Sequence, residues 1–231
     1  MFGFDLTPEQ EQLKDTARRF AREEMIPAAP RHDEEQSFPL EIVRKAWELG
    51  LMNFEVPAAY GGPELGVLDS CLVLEELNYA CSGITNAVAA NGLAAIPVII
   101  AGTDAQKQRY LGQLASELSF AAFCITEPGA GSDVAGIATT YVRHGDEFVL
   151  NGTKHFISNG SVAHWYVVFG TADRKARHRG ITAFVLPADL PGIRKQRMKN
   201  KLGQRAPDAR ELHVEEVPVR GDALVVPQGA G

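Results

Sequence analysis

Cysteine is scarce in this chain. Cys71, Cys81 and Cys124 are the only three in 231 residues. An odd, sparse set without ligand-like spacing excludes a disulfide framework and a cysteine-built metal site, and points to reduced intracellular thiols. Long apolar runs are missing as well. The longest, Leu93 to Ala101, is interrupted by Pro97 and is too short to cross a bilayer. The N-terminus, Met1-Phe2-Gly3-Phe4-Asp5, has neither a basic region nor an apolar stretch, and its early acidity speaks against a transit peptide. Basic charge is not in excess: 23 Lys and Arg stand against 29 Asp and Glu, a net charge of −6. That disfavours a sequence-independent grip on nucleic acid, which runs on cations against phosphate. No Gly-Lys-Ser or Gly-Lys-Thr occurs, and Gly129-Ala130-Gly131 is followed by Val134 where a third glycine would complete a dinucleotide fingerprint. The six histidines show no metal-ligand spacing.

What is there is ordinary for a globular protein: 45% hydrophobic and 23% charged residues exclude disorder and fibrous repeats. The length fits one large domain or two small ones, on a scale of ~100–200 residues each. The first half reads as helices. Thr7-Pro8-Glu9-Gln10 combines a capping Thr, a Pro at the first helical position and a Gln that closes a capping box. Leu13, Ala17, Phe20 and Ala21 follow at helical spacing, with Pro27 expected to stop the run. A second helix is expected from Pro39, with Ile42, Val43, Ala46 and Leu49 on one face and Gly50 at its end. Leu68 to Cys81 reads as a third, well-buried helix with Glu75 and Glu76 on one side. Thr85 to Ala101, apolar all round, is a central helix or a helix broken at Pro97. Thr103-Asp104-Ala105-Gln106 is another capping box, opening a helix that carries Tyr110, Leu111 and Leu114.

From Phe120 the signals are those of strands and turns. Thr139 to Val142 and Phe148 to Leu150 flank a turn at His144-Gly145-Asp146. Asn151-Gly152 is expected to turn the chain into a strand at Lys154 to Ile157, and the sequons at Asn151 and Asn159 read as turns. Trp165–Phe169, Ile181–Leu186 and Leu212–Val217 are further strands, and residues 172–180 a charged loop. The fold class is therefore α+β, with a helical domain over 1–118 and a β domain over 119–231.

Two segments carry chemistry. Phe123-Cys124-Ile125-Thr126-Glu127-Pro128-Gly129-Ala130-Gly131-Ser132-Asp133 runs from a buried strand into a loop of glycines, hydroxyls and carboxylates. Its glycines suit positive φ and close approach of a ligand, and successive amides can cradle an anion. Asn151 to Gly160 alternates strand residues and hydroxyls. Phe156 is either a flat platform for an aromatic cofactor, with Ser158 as a donor beside it, or the core of a two-sided hairpin.

Together, Thr-Glu-Pro-Gly-Ala-Gly-Ser-Asp at 126–133, Asn-Gly-Thr-Lys at 151–154 and Ile-Ser-Asn-Gly at 157–160 resemble the acyl-CoA dehydrogenase family, most nearly its medium-chain branch. Glu48-Leu49-Gly50-Leu51, Tyr60-Gly61-Gly62, Glu75-Glu76-Leu77 and Leu202-Gly203-Gln204-Arg205 extend the resemblance along the whole chain. It implies a helical N-terminal domain, a β-barrel middle domain and a C-terminal helical bundle, with FAD between barrel and bundle. It implies α,β-dehydrogenation of an acyl-CoA thioester with hydride passing to flavin N5. Phe123, Ile125, Thr126, Gly131, Ser132, Phe156, Ile157 and Ser158 fall at its flavin-binding positions, and Ser132 also at its CoA-binding position. Phe156 and Ser158 stand where the family usually has Trp and Thr, which keeps a ring face and a hydroxyl but loses an indole N–H.

The same resemblance implies electron-transfer flavoprotein as acceptor and a dimer or tetramer. It implies no membrane span, and the cytoplasm of a bacterium or the mitochondrial matrix of a eukaryote. Asn86 to Pro97 would line the acyl tunnel, where Ala89 replaces the medium-chain Glu and either deepens the pocket or marks close helix packing. Arg174, Lys175, Arg177, His178 and Arg179 suit CoA phosphates or form a solvated loop. Glu127 matches a structural position. No catalytic residue is expected here: the base belongs to the bundle, beyond residue 231, so the chain reads as a fragment or half of a split enzyme, inactive alone. A non-catalytic FAD- or CoA-binding subunit and an acyl-CoA oxidase are the competing readings.

Overall fold

The computed structural model describes residues 5–225, so the tail Gln228-Gly229-Ala230-Gly231 lies outside the described residues. Helix α1 (Pro8–Phe20) opens with both bonds of the capping box at Thr7. Pro27 does not end it. A wide π-turn at Ala21–Met25 leads straight into α2 (Ile26–Glu35). There the Ile26 N–H reaches back five residues to Ala21 O, so the register has shifted before proline's missing donor matters. The run stops at Gln36, in the left-handed region at φ 53°.

Helix α3 (Leu40–Glu48) buries Ile42, Val43 and Ala46, while Leu49 faces out and Gly50 turns the chain at φ 71°. Helix α4 (Val67–Ala80) is less buried than its composition suggests: Leu72, Val73, Glu76 and Leu77 point in, but Val67, Leu68 and Tyr79 are exposed. Neighbouring residues lie about 100° apart on a helix. Glu75 therefore faces solvent, whereas Glu76 turns inward to meet Arg18 at 2.8 Å. Helix α5 (Ser82–Ala101) passes Pro97 unbroken. By length and composition it could cross a membrane. Here it is the central helix of the helical half. Short α6 (Asp104–Gln106), capped by Thr103, continues through a second π-turn into α7 (Gly112–Ser116).

Among the described residues the second half is one sheet of seven strands. These are β1 (Ala121–Cys124), β2 (Thr140–His144), β3 (Glu147–Ile157), β4 (Trp165–Thr171), β5 (Ile181–Pro187), β6 (Ile193–Arg197) and β7 (Arg210–Arg220). The order is β1-β4-β2-β3-β7-β6, with β5 on the other flank of β4. The sheet curls into half a barrel around Tyr141, Phe148 and Phe184, whose rings meet edge-on at 5.2–5.9 Å. The opposite faces of β1, β4 and β5 carry Ala121, Trp165, Val167, Ala183 and Val185 onto Ala94, Ala95, Val98 and Leu114 of the helical half. The two halves thus share a packed layer.

Asn151-Gly152 is not a turn. β3 runs through it with a register shift, and Asn151 bonds the Glu216 amide and carboxylate across the strand pair. Gly152 is needed for close approach, since a Cβ there would collide with the Thr139 hydroxyl. The turn at Gly145 is as expected, at φ 63°. β6 carries no apolar signal of its own, with four of its five residues exposed.

Candidate functional site

β1 delivers its last residues to the mouth of the sheet. Phe123 is half-buried with its ring edge-on to Phe169 at 5.2 Å, and Ile125 and Thr126 are half-buried beyond it. Glu127 and Ala130 then close a tight turn by exchanging backbone bonds of 3.0 and 3.1 Å. The loop beyond is held from beneath. The Glu127 carboxylate accepts the Ala138 and Thr139 amides at 2.5 and 3.0 Å and the Lys154 ammonium at 2.7 Å. Lys154 is fully buried and also donates to Ile125 O at 3.2 Å. Burial alone would raise the Glu127 carboxyl; Lys154 and the two amides outweigh it and hold the group below the usual carboxylate range. With three donors on it, Glu127 is ionised and committed, a brace and not a base.

Gly129 and Gly131 were expected to serve positive φ. Neither adopts it, and a Cβ on either would meet no atom within 4 Å. Packing within the chain does not require either to be glycine. Ser132 and Asp133 are exposed beside them.

The second segment lies alongside, because the His155 N–H donates to Thr126 O at 2.8 Å. Phe156 is not in the core. A register shift at the end of β3 and a backbone at φ 59° turn its ring outward, 64% exposed and tilted over His155 at 4.2 Å. A phenylalanine in that region is uncommon and strained. Ile157 points the other way into the sheet core, and Ser158 is half-buried. The bond from His155 to Thr126 thus sets Thr126 beside the Phe156–Ser158 stretch, with Gly131 and Ser132 further along the loop from Thr126.

The charged segment 172–180 is not free in solvent. Arg174 donates to Ala138 O and Arg177 pairs with Asp133, both at 2.7 Å, so it packs on the glycine loop. Lys175, His178 and Arg179 remain exposed. On α5 the small residues divide: Ala87, Ala90, Gly92, Ala94 and Ala95 are buried, whereas Ala89 lies half-buried on the face that also exposes Leu93 and Ile96.

Two groups escaped the sequence reading. Lys154 stands at alternate spacing with Phe148 and Leu150, which places it on the inner face and in need of an anion; that spacing is the signal that could have found it. Glu55 has no such signal. Its carboxyl occupies the space a Cβ on Gly92 would fill, and its Oε2 is buried without a partner. Burial raises its pKa. Ionised Glu55 therefore costs stability above the unfolded value near 4.5. The Glu55→Gln variant is expected to melt at higher temperature than the wild type. Its advantage should open as pH rises through 4.5 and level off. Equal melting temperatures at pH 4 and pH 8 would remove this account of Glu55.

Comparison with known proteins converges on one family. The model of the acyl-CoA dehydrogenase N-terminal domain matches residues 7–117, and that of the acyl-CoA dehydrogenase middle domain residues 122–217. The probable medium-chain specific acyl-CoA dehydrogenase 2, mitochondrial, of Caenorhabditis briggsae is 39% identical over 99% of this chain and 57% of its own length. The structure of butyryl-CoA dehydrogenase from Megasphaera elsdenii superposes with a TM-score of 0.93 at 30% identity, covering 100% of this chain and 61% of that one. A glutaryl-CoA dehydrogenase from Mycobacterium smegmatis in complex with FADH2 gives 0.89 at 28% identity, covering 97% and 57%. The chain spans about three fifths of the length of these relatives, by 57% and 61% in the first two. With a helical N-terminal half and a curled sheet in the family's order, the chain belongs to the acyl-CoA dehydrogenase family.

Proposed function

We propose that this chain forms one side of the flavin and acyl-CoA site of an acyl-CoA dehydrogenase. One observation carries the reading. The two motif segments are tied at Thr126 and His155, and beyond the tie Gly129 and Gly131 stand exposed, with open space where a Cβ would lie. FAD fits there: Phe123, Ile125, Thr126, Gly131 and Ser132 would hold it from one segment and Phe156, Ile157 and Ser158 from the other. When bound, the flavin supplies a hydride acceptor for the β-carbon of the acyl thioester.

The chain's own residues bind and orient. The Thr126 and Ser158 hydroxyls serve as donors to ring heteroatoms, and the outward Phe156 ring offers an apolar face that keeps water away. Ser132 reaches both the cofactor and the CoA moiety. Lys175 and Arg179, exposed beside the glycine loop, face the polyanionic end of the thioester. Ala89, in place of a carboxylate, leaves the acyl end of the tunnel apolar and open to longer chains. Glu127 is committed to Lys154, so removal of the α-proton falls to a carboxylate in the part of the relatives that this chain does not span. Electron-transfer flavoprotein as acceptor, a homo-oligomeric assembly, and a bacterial cytoplasm or mitochondrial matrix complete the proposal. We place the boundary between the helical and barrel domains at residues 118 and 119.

The test is an anaerobic titration. The 231-residue chain alone is expected to bind FAD weakly and to leave the flavin colour unchanged on addition of octanoyl-CoA. Joined to the remaining two fifths of a relative's sequence, it should bleach. Failure of the joined protein to bleach with acyl-CoA thioesters of any length overturns the reading. In that joined protein, Ser132→Ala is expected to weaken FAD or acyl-CoA binding about fivefold, one hydrogen bond of about 1 kcal/mol, with an unchanged melting temperature. Unchanged binding would take Ser132 out of the site.

A further inference from the structure

Three buried asparagines converge between the helical half and the sheet. Asn91, in the middle of α5 and 0% exposed, uses every hydrogen-bonding position of its amide. Its Nδ2 donates to Asn53 Oδ1 and to Ser119 O, both at 3.0 Å. Its Oδ1 accepts from the Ala121 N–H at 2.8 Å and from Asn159 Nδ2 at 3.2 Å. The Ala121 amide fixes which way this side chain points, because an N–H cannot face an NH₂ group. Asn159 in turn donates to Ala121 O at 3.3 Å. A flipped Asn159 would set its oxygen against two acceptors, so its orientation is fixed too.

Asn159 directly follows Ser158, and its backbone is left-handed at φ 58°, as is that of Phe156 at φ 59°. Asparagine tolerates the left-handed region but phenylalanine does not favour it, so Phe156 gives this loop a strained shape, and the tie of Asn159 to Asn91 helps to hold it. Ala89 and Leu93, two residues to either side of Asn91, lie on the opposite face of α5, the face that also exposes Ile96. We infer that Asn91 and Asn159 form a positioning pair that fixes the flavin-facing loop Phe156–Ser158 relative to α5, and so the distance between cofactor and acyl chain. Near-attack geometry depends on such distances to within about 1 Å. The inference rests on the flavin reading above; its tie within the protein can be examined without flavin.

The experiment uses the 231-residue chain and two variants, Asn159→Gly and Asn159→Asp. Glycine keeps the left-handed backbone and removes the donor. Aspartate keeps the size and places an oxygen against Asn91 Oδ1 and Ala121 O. Amide hydrogen exchange of the FAD-free proteins is read first. Residues 156–160 should lose protection in both variants while β3 and β7 keep theirs; unchanged protection in Asn159→Gly overturns the inference whatever the flavin does. FAD titration of the joined protein carrying the same substitutions, well below its melting temperature, is read second. Affinity should fall roughly tenfold in Asn159→Gly, which loses both buried bonds donated by the Asn159 amide, and further in Asn159→Asp. A merely structural pair would lower the melting temperature and leave the affinity of the folded protein unmoved, and that result also overturns the inference. Should Asn159→Asp fail to fold, Asn159→Gly decides alone. A joined protein without substitutions that shows no saturable FAD binding contradicts the flavin reading, and with it the claim that this tie positions a cofactor.

Discussion

Glu127→Ala is expected to cost the fold about 3–5 kcal/mol, the usual penalty for removing one partner of a buried ion pair. Lys154 has no exposed surface, and its ammonium touches only the Glu127 carboxylate and Ile125 O among the described residues. Without the carboxylate, a buried cation keeps one neutral acceptor, and burial drives it to shed its proton. The Ala138 and Thr139 amides lose their acceptor at the same time. A double variant, Glu127→Leu with Lys154→Met, should recover most of the loss, since two apolar side chains of similar size leave no charge to satisfy.

The acid limb of the stability curve gives a second readout. The folded Glu127 carboxyl titrates below its unfolded value near 4.5. Its contribution is therefore complete above that pH and is lost as pH falls through the lower, folded value. Wild type should lose stability on acidification below pH 4.5 more steeply than the double variant does. Guanidinium unfolding of the three proteins from pH 3 to pH 8 measures both effects. A midpoint for Glu127→Ala equal to wild type at pH 7 would show that Lys154 has another counter-charge.

The difference between what the sequence disclosed and what it hid follows the range of the forces involved. The caps at Thr7 and Thr103 are local hydrogen bonds between a side chain and an amide three residues on, so four letters suffice to read them. The heptad-like burial of Ile42, Val43 and Ala46 is equally local. Pro27 misled, and Pro97 left two readings open, because a proline's cost depends on what replaces the missing bond. At Pro27 a π-turn just before it absorbs the cost, and at Pro97 the first reading holds, an unbroken central helix. Asn151-Gly152 looks like a hairpin turn in isolation. Its real partner is Glu216, 65 residues away, and no local rule reaches that far.

The site shows the same division. The residue types at Thr126, Ser132, Phe156 and Ser158 were legible as a motif. That Phe156 faces outward was not, because the register of β3 against β7 decides it. Of the two roles read for the glycines, positive φ is not adopted, and the open space beside each leaves the other, close approach of a ligand, for experiment.

That distinction yields the second large expectation. Gly131→Val should leave the fold untouched and abolish cofactor binding. The backbone of Gly131 lies outside the positive-φ region, and a Cβ there meets nothing within 4 Å, so the protein has room for a branched side chain. Exposed substitutions of this kind change stability by about 0.5 kcal/mol or less. The unfolded chain also loses freedom when a glycine is replaced, which favours the variant slightly. The isopropyl group would stand where a ligand must touch the loop, and FAD affinity is expected to fall at least ~100-fold, about 2.7 kcal/mol. Gly152→Val is the opposite case: its side chain would drive into the Thr139 hydroxyl and backbone, so folding itself should fail. Differential scanning of both variants, and FAD titration of Gly131→Val in the protein joined to the rest of a relative's sequence, separate the two kinds of glycine. If Gly131→Val melted early, the open space beside residue 131 would be needed by the protein and not by a ligand. If it kept its melting temperature and bound FAD like wild type, the cofactor would have to lie elsewhere than against this loop, and the assignment of Gly131 and Ser132 would fall together.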